Sequence, residues 1–127
     1  MEKNPISSDP FFVERFEEAL RERDEGRFCE ANQILLKLEK EDPGNLAVAL
    51  VRAGVLFKMD SFQEASDLFG KITRSQPCDD LASRGFFHSL WKLGRHDEAF
   101  EEMKRFLSLK DSEGYLELLG DLKASLK

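Results

Sequence analysis

The sequence has few of the residues that mark a metal-binding, secreted or membrane-spanning protein. It contains two cysteines, Cys29 and Cys78, and two histidines among 127 residues, and neither cysteine stands at a metal-ligand spacing or beside a histidine. We therefore expect no metal site and two reduced thiols. The start, MEKNPISSDPFF, lacks an apolar run that could serve as a signal peptide, and no stretch is long enough to span a bilayer. These absences predict a cytoplasmic location.

An excess of basic charge is also missing. The chain has 19 Lys and Arg against 25 Asp and Glu, a formal net charge of −6. Nucleic acids and anionic membranes bind proteins through a cationic field that displaces counterions or meets lipid head groups. The acidic balance therefore argues against a nucleic acid or a membrane as partner.

Residues that favour strands are scarce, whereas strong helix formers are abundant. Only 4 prolines and 8 glycines interrupt a sequence rich in Leu, Glu, Lys, Arg and Ala. No segment alternates polar with apolar residues for more than a few positions, so none is predicted to be a strand. The length fits one domain. We predict a single all-α domain.

Three similar stretches recur along the chain: GRFCEANQILLKL, DSFQEASDLFGKI and GRHDEAFEEMKRFL. Aligning their first residues gives a period of 34 residues, which is typical of stacked helix pairs that bury their apolar faces only against their neighbours. The columns so aligned are Gly26, Asp60 and Gly94; Phe28, Phe62 and His96; Glu30, Glu64 and Glu98; Ala31, Ala65 and Ala99; Leu35, Phe69 and Met103; Leu38, Ile72 and Phe106; and Pro43, Pro77 and Asp111.

Most columns have a physical reason. The glycines and Asp60 end a helix in a left-handed or turn conformation, and the alanines allow two helices to cross closely. The apolar residues four and seven positions after each alanine share one helical face. Asp9, Asn45, Asp79 and Ser112 are placed to cap the helices that follow them.

At this point the chain resembles the tetratricopeptide repeat family, in which an alanine, an aromatic residue four later and a proline twelve later recur every 34 residues. LFKMDSFQEASDLFGKITRSQP and LWKLGRHDEAFEEMKRFLSLKD match the second half of that pattern. The first half matches poorly, because Arg15, Glu18 and Glu22, for example, stand where the family prefers large apolar side chains. The resemblance implies a right-handed α-solenoid of three helix hairpins with a seventh, capping helix.

The predicted helices span residues 10–24, 28–41, 45–58, 62–75, 79–92, 96–109 and 113–126. The repeats are predicted at about 12–44, 45–78 and 79–111 within a domain of residues 9–127, and residues 1–8 are expected to be flexible. In segment 112–127, Tyr115, Leu119, Leu122 and Leu126 form an apolar stripe, which we expect to cover the last repeat.

The resemblance also implies a concave groove, lined by the first helix of each pair, that binds a protein or peptide. The mainly apolar lining favours an amphipathic helix or an extended apolar segment as partner. The acidic-tail clamp of some family members is missing, because its positions hold Phe16, Leu20, Val51, Leu81 and Gly85. The predicted groove residues are Phe16, Leu20, Arg23, Leu50, Val51, Phe57, Lys58, Arg84, His88, Trp91 and Lys92; the same columns include Val13, Ala47, Gly54, Leu81 and Gly85.

Two features of this lining have alternative interpretations. Phe57 and Trp91 share one repeat column and are either anchors for the partner or packing between repeats. Arg84, His88, Lys92 and Arg95 form a basic stripe that either meets an acidic partner or is a solvated helix face.

No catalytic or cofactor motif is present. His88 and His96 lack a neighbouring metal-binding pattern, no nucleophile motif or phosphate-binding loop occurs, and adjacent glutamates such as Glu101 and Glu102 point to different helical faces. We predict a non-catalytic protein-binding adaptor without a cofactor, similar by analogy to the secretion chaperones of bacteria. The alternatives are a self-assembling subunit, for example a homodimer, and an inhibitor or antitoxin-like protein that blocks a basic surface.

Overall fold

The computed structural model describes residues 9–125, which contain seven α-helices and no strand. The predicted helix ends agree with it to within one residue. Residues 1–8, expected to be flexible, and Leu126, part of the predicted apolar stripe, lie outside the described residues. The helices are α1 (Pro10–Asp24), α2 (Phe28–Glu41), α3 (Leu46–Lys58), α4 (Phe62–Ser75), α5 (Asp80–Lys92), α6 (His96–Leu109) and α7 (Glu113–Ser125).

The predicted capping residues start their helices. The side chains of Asp9, Asn45 and Asp79 accept hydrogen bonds from backbone N–H groups of the first turn, at 2.9, 3.1 and 3.0 Å. Ser112 Oγ accepts from the Tyr115 N–H at 3.1 Å. Each cap satisfies a backbone donor that has no partner inside the helix.

The three hairpin turns have one geometry. Gly26, Asp60 and Gly94 have φ values of 81°, 60° and 77°, the left-handed conformation expected of a helix-ending residue. Beyond each of them the next backbone N–H donates to a carbonyl five residues earlier, at 2.8, 2.9 and 2.9 Å. The 34-residue period of the sequence is therefore a structural period.

The seven helices stack in chain order as a helical repeat. The first helices α1, α3, α5 and α7 each contact the next of the series, and each of the three pairs α1/α2, α3/α4 and α5/α6 packs as a hairpin. Ala31, Ala65 and Ala99 are fully buried at the crossings, and the six apolar residues that follow them are also buried. The predicted all-α helical repeat fold is confirmed. Among the described residues, no helix is long and apolar enough to cross a membrane.

Polar side chains replace apolar ones on the first helices because they bond to the neighbouring second helices. Arg15 of α1 pairs with Glu41 of α2 at 2.8 Å. Arg52 of α3 reaches back to α2, where its guanidinium donates to Asn32 and Glu39, each at 3.2 Å. Arg15 and Arg52 therefore join the first helices α1 and α3 to α2 through polar contacts.

A buried polar network attaches α7 to the last hairpin. Tyr115 is fully buried, and its ring lies 5.9 Å from Phe87 and 5.7 Å from Phe106. Its hydroxyl lies 2.6 Å from Ser83 Oγ. Ser83 in turn donates to Glu102 at 2.6 Å, so the tyrosine is the donor to the serine.

Glu102 completes this network and is 7% exposed. Arg105 forms a two-pronged pair with its carboxylate at 2.8 and 2.6 Å and also donates to the Pro77 carbonyl at 3.0 Å. Burial raises the pKa of Tyr115, so the hydroxyl keeps its proton and remains a donor. The sequence pattern identified Tyr115 only as part of an apolar stripe, because nothing local shows that its hydroxyl group bonds to Ser83, 32 residues earlier.

Candidate functional site

One side of the first helices presents a recurring set of side chains, which we call the first-helix face. Its members recur every 34 residues, and successive members within one helix are three or four residues apart, with Lys58 and Lys92 directly after Phe57 and Trp91, so they lie on one side. Its residues are Leu20, Arg23, Leu50, Gly54, Phe57, Lys58, Leu81, Arg84, His88, Trp91 and Lys92.

Phe16, a predicted groove residue, lies in the core. It is 5% exposed and packs with Phe12 and Ala19 in the cluster between α1, α2 and α3. No helix precedes α1 among the described residues, and α1 turns these three residues towards the helices that follow it. A partner could not contact Phe16 without opening the core, so we leave it out of the first-helix face.

The aliphatic residues predicted for the groove are mostly engaged in packing between helices. Leu20 and Val51 are half-buried against the cluster of α1 to α3, whereas Leu50 is half-buried against the cluster of α3 and α4. Val51 and Leu50 therefore pack against different clusters. By contrast, Leu81 at the start of α5 is 60% exposed, so it contributes open apolar surface.

Phe57 and Trp91 are each half-buried in an equivalent environment. Phe57 meets the edge of Phe62 at 5.1 Å, and Trp91 stacks on His96 at 4.0 Å and on Phe87 at 5.8 Å. Each ring thus packs against the first residue of the second helix in its own hairpin and still has solvent-accessible surface. The packing holds the ring in place, which leaves the accessible part preorganised for contact.

Cationic groups border these rings. Arg23 pairs with Asp24 at 2.9 Å, and Arg84 pairs with Asp80 at 2.7 Å. The other predicted groove cations are Lys58, His88 and Lys92, which are exposed and form no ion pair with any carboxylate of residues 9–125.

At the centre of the basic stripe of α5, the pKa of His88 is lowered. Although part of the His88 side chain is exposed, the surrounding protein partly desolvates its imidazole and lowers its pKa, and the positive charges of Arg84 and Lys92 lower it further. Lys92 Nζ lies 5.9 Å from the centroid of the Phe62 ring, in the range of a cation–π contact. Arg95, the fourth residue of the predicted stripe, pairs instead with Glu98 at 2.5 Å. On α5, which ends at Lys92, the stripe consists of Arg84, His88 and Lys92.

Gly54 lies in the middle of α3 and leaves a gap in the first-helix face. A Cβ added at Gly70, Gly85 or Gly114 would come within 3.1, 2.4 and 2.5 Å of another side chain, so close packing explains those glycines. A Cβ added at Gly54 would meet nothing within 4 Å. Packing within the described chain therefore does not require a glycine here, although glycine weakens a helix interior.

Three open pockets lie elsewhere. One of about 270 Å³ lies between α2, α3 and α4 and includes Ala49, Leu68 and Ile72 in its lining. Two others, of about 420 and 320 Å³, share Phe86 and are rimmed by charged residues of α6 and α4. None of these three pockets is lined by a residue of the first-helix face.

The remaining titratable candidates have simple surroundings. His96 is exposed and stacks on Trp91, as its place in an aromatic repeat column predicts. Cys29 and Cys78 are exposed free thiols. Among the described residues, no group of three or more His, Cys, Asp or Glu side chains could hold a metal ion.

Solved structures of MamA, a protein with a tetratricopeptide-like fold, resemble this chain. MamA AMB-1 is 24% identical with a TM-score of 0.70 over 80% of this chain, and a mutant of MamA is 22% identical with a TM-score of 0.73 over 83%. The alignments cover 59% and 77% of those chains, so this chain spans less than two thirds of MamA AMB-1. No protein-family model and no curated protein matches the sequence. At this identity the likeness shows the fold.

Proposed function

We propose that the chain is a non-catalytic protein-interaction module of the tetratricopeptide type, which binds an apolar or helical segment of a protein partner on its first-helix face. Its repeats would span residues 12–44, 45–78 and 79–111, with residues 112–127 as the cap. The observation that carries the proposal is the equivalent placement of Phe57 and Trp91, each supported by its own hairpin and still partly open.

The dimensions of the face suit a short helix. Leu81 and Trp91 lie ten residues apart on α5, which is about 15 Å along the helix axis. Gly54 on the neighbouring α3 has no side chain, so it leaves open space beside the apolar residues of this face. A bulky side chain of the partner would enter this gap, while Phe57 and Trp91 would contact its apolar side, as in other complexes of a helix in a groove.

Self-assembly is a second candidate function, supported by exposed apolar residues near the last helices. Phe100 of α6 is 39% exposed and Leu116 of α7 is 60% exposed. A second copy could cover them, because apolar surface left in water favours association. Sedimentation velocity at several concentrations distinguishes the candidates, since only self-assembly gives a tight dimer or larger species without a partner.

Peptide selection tests the adaptor proposal. Peptides selected from a random display library on the intact chain are measured by fluorescence anisotropy against the double variant Phe57→Ala, Trp91→Ala. We expect the double variant to lose binding at least about tenfold while its far-ultraviolet circular dichroism stays unchanged.

Leu109→Ala serves as the matched control, because Leu109 is 55% exposed on α6 away from the first-helix face. The control should bind the selected peptides normally. Equal binding by the double variant would refute the proposed site. If the double variant unfolds, single Phe57→Leu and Trp91→Leu variants, which keep apolar volume in the packing, decide the question.

A further inference from the structure

Resting on the proposed function, we propose that the first-helix face selects an acidic amphipathic helix, whose carboxylates meet Lys58 and Lys92 while its apolar side covers Phe57 and Trp91. The inference concerns the chemistry of the partner, so it can fail while the binding site itself is correct.

The charge on the first-helix face is opposite in sign to the net charge of the chain. The protein carries a net charge of −6, yet Asp24 and Asp80, the carboxylates beside the two arginines of the face, are already engaged. Asp24 pairs with Arg23, and Asp80 pairs with Arg84 and also accepts from Ser112 Oγ at 2.5 Å. Desolvation is the larger cause of the lowered pKa of His88, and the positive charges of Arg84 and Lys92 add to it, so both cations act at this point of the face.

The cations are adjacent to the aromatic rings that would anchor the partner. Lys58 and Lys92 directly follow Phe57 and Trp91 in sequence, and both lysines occupy the same repeat column. Lys92 also lies over the ring of Phe62, which Phe57 contacts. A helix seated on the two rings would therefore have its polar flank beside the two lysines.

The spacing along α5 matches the spacing of charges on a helix. His88, whose uncharged imidazole still has an N–H to donate, and Lys92 are four residues apart, about 6 Å along the axis, and two acidic residues four apart on a partner helix have the same separation. A parallel or antiparallel partner could thus pair both groups at once. Leu81, exposed at the other end of α5, would contact only apolar atoms, so the acidic flank is expected at one end of the partner.

A pair of synthetic helical peptides tests this inference. Both have about 16 residues, capped ends and the same Leu and Phe side, and they carry either Glu or Gln along one flank at i and i+4 spacing. Fluorescence anisotropy with the full chain at low salt should show that the Glu peptide binds about fivefold more tightly, the sum expected of two exposed ion pairs, with Lys58 and Lys92. The preference should shrink at about 300 mM salt, where screening is strong.

Matched double variants assign the preference to particular residues. Lys58→Gln with Lys92→Gln should remove most of the preference for Glu. Lys71→Gln with Lys104→Gln changes the net charge equally, at exposed lysines of the second helices, and should preserve it.

Each other outcome overturns the inference. If both peptides bind equally and the Phe57→Ala, Trp91→Ala variant loses both, the site is right and its acidic selectivity is wrong. If the two lysine pairs have equal effects, the long-range field of the protein causes the preference and no local site exists. If neither peptide binds while library-selected peptides do, the partner is not an acidic helix.

Discussion

Replacing Gly54 by alanine should stabilise the protein, and this expectation tests the geometry of the first-helix face directly. Gly54 lies in the interior of α3, and a Cβ there would meet nothing within 4 Å. Glycine in a helix interior is about 0.8–1.0 kcal/mol less favourable than alanine. With no clash to oppose this gain, Gly54→Ala should increase the free energy of unfolding by nearly that amount.

The expected shift in melting temperature follows from the size of the chain. An unfolding entropy of about 2.1 cal/mol/K per residue, taken over 127 residues, converts this free energy into a rise of about 3–4 °C. Urea denaturation and thermal melting monitored by circular dichroism both measure the effect. Gly85→Ala is the matched control, because its Cβ would lie 2.4 Å from the Phe69 ring and overpacking costs about 1–3 kcal/mol. The control should therefore be neutral or destabilising.

A larger side chain at the same position separates folding from binding. Leucine is nearly as good a helix former as alanine, so Gly54→Leu should keep the stability gain and obstruct a peptide selected on the face. Loss of at least about 1.4 kcal/mol of binding free energy, a tenfold weaker complex, is expected. If Gly54→Ala lowers the stability, the space beside Gly54 is not open. If Gly54→Leu binds peptide normally, the partner does not approach α3 there.

Three further predictions concern the last hairpin and the basic stripe. Tyr115→Phe should lower the free energy of unfolding by about 0.5–1.5 kcal/mol through loss of one buried hydrogen bond, and Tyr115→Ala by about 3–5 kcal/mol; equal losses in urea denaturation would contradict the role of the ring. Removing residues 112–127 should expose Phe87 and Phe106 and cause unfolding or aggregation, measured by circular dichroism and light scattering; a soluble, fully helical product would contradict it. The folded state lowers the pKa of His88, so the unfolded chain binds more protons than the folded chain below the unfolded pKa of about 6.5. The free energy of unfolding should therefore fall as pH drops from about 7.5 to 5.5. His88→Gln should flatten this dependence, and an unchanged slope would refute the assignment to His88.

Local signals in the sequence were sufficient for the helices and their ends. Asn45 and Asp79 bond to backbone groups three residues away, and Gly26 and Gly94 adopt the left-handed conformation at the turns. Such interactions need only neighbouring residues, so a single sequence displays them. The candidate site was harder to predict from the sequence. The 34-residue period aligns its cations and aromatic rings, but it does not show which of them are exposed.

The sequence by itself determined the all-α repeat, its period, the caps and the turns, because these depend on hydrogen bonds and spacings within a few residues. Only the tertiary structure decided which sides of the first helices are buried. Phe16 shares a repeat column with Leu50 and Arg84, yet it lies in the core, where it packs in the cluster formed by α1, α2 and α3. Tyr115 and Ser83, 32 residues apart, are bonded because the stack brings α7 onto α5. Both outcomes depend on which distant segments become neighbours, and that information is absent from any local pattern.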